Sequence, residues 1–142
     1  MKVIAKDRSD RIFGVRYSGV LEVPDFSFVD VGGNYVVYGL MSHAGGLDYL
    51  ICAGERGPYW LPSEIFNVAD ARLPKWQICL PKSSSSYSEL YAQLGIIAIL
   101  GYDRFVRDFS HYCGVLEREE VDLGIFFVEK AEMDAQYQSD YL

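Results

Sequence analysis

The side chains best able to move a proton near neutral pH are His43 and His111, the two histidines of the chain. His43 lies in the turn-forming segment Ser42-His43-Ala44-Gly45-Gly46, close to Asp48. A histidine beside a carboxylate can act as a general base, so His43 and Asp48 are the candidate centre of a small hydrolase or ligand-binding site. No nucleophile stands at motif spacing from them. His111 and Cys113 are two residues apart in a stretch with helical periodicity, which turns them toward different faces and argues against a Cys–His nucleophile. Cys113 shares an apolar stripe with Phe109 and Leu116 and reads as a small core residue. Glu55 and Glu64, on either side of Trp60, are the carboxylates to compare first as an acid–base pair. Read conservatively, they are solvated loop acids.

Metal and phosphate chemistry find little support. Cys52, Cys79 and Cys113 sit among apolar neighbours, and neither Cys-x2-Cys nor His-x3-His spacing occurs, so no metal is expected. An odd cysteine count without a secretory leader reads as reduced, buried thiols in a soluble cytoplasmic protein. Gly32-Gly33 and Gly45-Gly46 are not followed by Lys-Ser or Lys-Thr, which makes them hairpin turns and not phosphate loops. The expectation is therefore a chain with no catalytic residue and no cofactor.

The elements that would hold these residues fall into two halves. Residues 1–80 are mostly β. Candidate strands are Val3–Lys6, Ile12–Tyr17, Val20–Val23, Phe26–Val31, Tyr35–Met41, Leu47–Ala53, Tyr59–Pro62, Ile65–Val68 and Trp76–Leu80, punctuated by glycine- and proline-bearing turns. Residues 83–134 are mostly α. Ser86 and Glu89 fit a capping box, and Tyr87, Leu90, Tyr91, Leu94 and Ile97 recur at helical spacing. Gly101 marks a break, after which Phe105, Val106, Phe109, Tyr112 and Leu116 form a second stripe. Asp103 with Arg107, and Arg104 with Asp108, are opposite charges four residues apart. Residues 121–128 alternate like a strand, but the acids before them and Lys130 after them suit a helix dipole, which favours a helix over 119–134. Residues 135–142 are expected to fray. The whole reads as a single α+β domain over 1–142, an N-terminal antiparallel β-meander packed against C-terminal helices.

Charge and aromatic content then supply the functional reading. The net charge is −7 over 142 residues, which argues against nucleic acid and anionic membranes as partners. The apolar run from Leu94 to Leu100 is far shorter than the roughly 20 residues of a membrane span. The charge is unevenly placed. Residues 1–80 carry a net −1, while the stretch from Glu117 onward carries −6, from Glu117, Glu119, Glu120, Asp122, Glu129, Glu132, Asp134 and Asp140 against Arg118 and Lys130. Such a face either keeps a small protein soluble or attracts a basic partner. The 11 tyrosines allow aromatic anchors at an interface, with Trp60 and Tyr137 as candidates beside the acidic residues.

This profile is similar to that of bacterial immunity proteins, which neutralise toxin domains such as nucleases. The likeness is one of class and rests on no motif. It implies an inhibitor of a basic protein, ranked above the His43/Asp48 hydrolase or ligand-binding domain and above a structural or assembly subunit.

Overall fold

The computed structural model describes residues 1–6, 28–52 and 54–138. The candidate strands Ile12–Tyr17 and Val20–Val23 lie outside these residues, as does Ala53 at the end of another. Among the described residues the architecture is α+β: seven antiparallel strands, six of them from the N-terminal half, with helices from the C-terminal half.

The strands are β1 (Lys2–Ala5), β2 (Asn34–His43), β3 (Gly46–Cys52), β4 (Pro58–Pro62), β5 (Phe66–Asp70), β6 (Gln77–Cys79) and β7 (Ile96–Gly101). The described part of Phe26–Val31 is turn and loop and not strand. Its amide at Asp30 donates to the Tyr35 hydroxyl at 2.7 Å, and Val29 is buried. The meander proper is β2–β3–β4. On its other edge β2 pairs first with β1, at Lys2↔Val36, and then with β7, from Gly39↔Gly101 to His43↔Ile96. One long strand therefore carries two neighbours in succession along the same edge, with β5 beyond β1 and β6 beyond β7.

The helices of the described residues are α1 (Ser88–Leu94), α2 (Asp103–Arg107), α3 (Phe109–Leu116) and α4 (Glu120–Gln138). The first helical stripe stops earlier than its spacing suggests. Gly95 takes a left-handed φ of 66° and its N–H bonds to the Tyr91 carbonyl at 3.0 Å, closing α1. The Ile-rich run after it then joins the sheet as β7, where β-branched side chains fit. The Ser86/Glu89 capping box does not form; α1 begins at Ser88, and the Ser84 hydroxyl accepts from the Tyr87 N–H at 3.2 Å. Both spaced charge pairs do form, Arg107–Asp103 at 2.7 Å and Arg104–Asp108 at 3.5 Å. The ambiguous segment is helical, and α4 runs past residue 134 to Gln138 because Tyr137 is buried and its hydroxyl donates to the Arg72 carbonyl at 3.0 Å.

Successive residues of β2 and β3 point into different cores, as the pleat requires. Tyr38, Met41 and Leu50 join Ile99, Phe105, Tyr112, Val115, Phe126 and Met133 beneath the helices. Val37, Tyr49 and Ile51 join Val3, Val29, Leu61, Ile65 and Phe66 on the opposite face. Many of the tyrosines belong to these cores. Tyr38, Tyr87 and Tyr102 are buried with their hydroxyls bonded to Asp134, the Phe105 carbonyl and His111. Among the described residues no helix is long and apolar enough to cross a membrane.

Candidate functional site

His43 and Asp48 are brought together by the tight turn between β2 and β3, where His43 faces Gly46 across the ladder. The Gly45 N–H donates to Nδ1 of His43 at 3.0 Å, so that nitrogen carries no proton, and Nε2–H donates to Asp48 at 3.1 Å. Both ring nitrogens thus hold the turn closed. Glu55 and Glu64 stand at opposite ends of β4, in the short helical turns before and after it. The thiols of Cys52, Cys79 and Cys113 are free, and burial raises the pKa of each, which disfavours the reactive thiolate. Among the described residues no three His, Cys, Asp or Glu side chains gather as a metal site.

A second histidine arrangement lies inside the molecule. His111 is fully buried; its Nδ1 is 2.8 Å from Asp122 Oδ1, and its Nε2 is 2.7 Å from the Tyr102 hydroxyl. In the tautomer that satisfies both contacts, Nδ1–H donates to the Asp122 carboxylate and Nε2 accepts from the Tyr102 O–H. Burial raises the Tyr102 pKa far above the ordinary phenol value, and the charges of Glu129 and Asp122 add to the rise. Tyr102 is itself buried, so the series is a satisfied internal network joining the start of α2, the first turn of α3 and the first turn of α4. Gly114 is required beside it, since a Cβ there would overlap the Asp122 carboxylate. The aromatic, histidine and aspartate involved come from three elements, and no local spacing announces them.

No family model, curated protein or solved structure matches the chain.

The acidic stretch from Glu117 occupies the turn between α3 and α4 and the length of α4. Glu117, Glu119, Glu120 and Glu132 are exposed. Asp122 is engaged by His111, and Asp134 accepts from the Tyr38 hydroxyl and from Lys130 Nζ, both at 2.7 Å. Glu129 is half-buried, and its pKa is raised by burial and by the neighbouring charge of Glu132. The two cations of the stretch face inward. Arg118 lies 4.1 Å from the Tyr59 ring centroid and donates to the Pro58 carbonyl at 3.0 Å, while Lys130 lies over the Tyr38 ring. The carboxylates left outside therefore form no ion pair among the described residues.

Of the aromatic residues singled out beside these acids, Tyr137 is buried and Trp60 half-buried. Trp60 packs its ring 6.1 Å from Phe105 within the helix-side core, and its indole N–H is buried without a well-formed hydrogen bond. Tyr137 fastens the end of α4 to the segment after β5. At the turn between α3 and α4 the outer surface offers the carboxylates of Glu117, Glu119 and Glu120.

Proposed function

We propose that the chain is a small protein-binding module that engages a basic partner, as an inhibitor of the kind immunity proteins represent, with a toxin domain such as a nuclease as the partner class. One observation carries this reading: Glu117, Glu119, Glu120 and Glu132 are exposed while Arg118 and Lys130, the cations nearest them in sequence, are engaged with the body of the protein. A surface of one sign steers an oppositely charged partner and raises its association rate. Placing Glu117, Glu119 and Glu120 on a corner held by the His111–Asp122 and Arg118–Pro58 bonds keeps the ordering cost on binding small.

The test is the association rate with the protein encoded by the neighbouring reading frame, compared at about 50 mM and about 500 mM salt, where screening differs several-fold. The expected partner is basic, its on-rate falls at least tenfold at the higher salt, and E119K/E120K lowers the low-salt rate. A neighbour without binding, or an affinity indifferent to that charge reversal, rejects the proposal.

A further inference from the structure

The outward side of α4 carries more than charge. Val121, Gly124, Val128, Ala131 and Ala135 follow one another at spacings of three and four residues, and all five are exposed, Val121 at 75% and Val128 at 62%. The inward side is a separate stripe, Phe126, Met133 and Tyr137, which already packs on the sheet and its neighbours. A solvent-facing row of small apolar residues at heptad-like spacing leaves a shallow groove into which the side chains of a second helix fit. Nothing lies within 4 Å of where a Gly124 Cβ would be, so an approaching backbone can come close there.

The rim of this row decides which helix. On a helical projection Glu120 flanks one side, and Glu132 and Glu129 flank the other. The one cation of α4, Lys130, points away from the row toward Tyr38 and Asp134. The like charge of Glu132 acts on Glu129 and, after burial, is the second cause of its raised pKa. A second copy of the chain would bring the same acids against themselves, and like charges facing each other across an interface cost affinity.

We infer that the outer face of α4 is the docking surface for an amphipathic helix of the basic partner, its apolar side chains on the Val121–Ala135 row and its Lys or Arg residues on Glu120, Glu129 and Glu132. The inference rests on the basic-partner reading above and adds to it the recognition element and its geometry.

The probe is a fluorescent peptide of about 18 residues with Leu at heptad seam positions and Lys elsewhere, compared with a scrambled peptide of the same composition that has no seam. By anisotropy the seam peptide binds at least tenfold more tightly, and V121S/V128S removes that preference while leaving the affinity for the scrambled peptide unchanged. These two serine replacements sit at exposed positions and leave the core intact. Equal binding of both peptides, or a preference untouched by V121S/V128S, overturns the docking inference, while salt-sensitive binding of either still supports a basic partner. Absence of binding to both counts against both readings. A dimer seen by sedimentation of the unmodified chain and dissolved by V121S/V128S assigns the row to a second copy and overturns the inference as well.

Discussion

Nδ1 of His111 stands 2.8 Å from Oδ1 of Asp122, and this bond joins the first turn of α3 to the first turn of α4. It lies just inside the corner whose outer surface is Glu117, Glu119 and Glu120. The acidic stretch is therefore divided by role. One carboxylate holds the corner from within, and its neighbours along the chain remain available outside.

Replacing Asp122 by Ala leaves the buried His111 N–H without its acceptor, a loss of about 1–3 kcal/mol. Asp122→Asn retains a carbonyl acceptor and is expected to cost about 1 kcal/mol less. Glu119→Ala, at an exposed position, should stay within about 0.5 kcal/mol of the parent. Urea unfolding of the three variants checks the order, and an Asp122→Ala protein as stable as Glu119→Ala would contradict the structural role.

Arg118 holds a left-handed φ of 61°, unfavourable for any residue with a Cβ, and is kept there by Tyr59 and the Pro58 carbonyl. Arg118→Ala loses both contacts and keeps the strain, for an expected cost of about 1–3 kcal/mol. Arg118→Gly loses the same contacts but relieves the backbone, so its melting temperature should lie above that of the alanine variant. The reverse order would show that the backbone conformation is not what limits this turn.

Glu129 should make stability fall as pH rises. Burial, followed by the Glu132 charge, raises its folded pKa above the value of the unfolded chain. Between those two values the folded state binds more protons, so the protein loses stability as pH climbs through the window and has its largest contribution from this group below it. Glu129→Gln, neutral throughout, is expected to raise the melting temperature at neutral pH and to flatten the dependence just above the ordinary glutamate range. Melting curves from pH 4 to 7 that are parallel for parent and variant would show that Glu129 does not contribute.

Much of the scaffold was readable from local patterns. Period-two runs and glycine turns located the strands from Tyr35 to Val68, and four-residue charge spacing located α2. Two local signals compete between Leu90 and Ile99: the apolar residues through Ile97 fit a helix by spacing, but Gly95 ends α1 and the isoleucines enter the sheet beside β2. The site was only partly readable. Composition located the acidic stretch, yet it gave no means of separating Glu119 and Glu120, which face water, from Asp122 and Asp134, which do not.

By itself the sequence determined the α+β class and the concentration of negative charge after residue 116. Those properties depend on residue type and near-neighbour order alone. Only the tertiary structure decided which side of each element meets water. That choice is made by bonds between distant segments, such as Tyr38 to Asp134 across 96 residues and Tyr137 to Arg72 across 65. Such pairings arise from packing the whole chain at once, because a buried polar group must find a partner wherever the fold brings one.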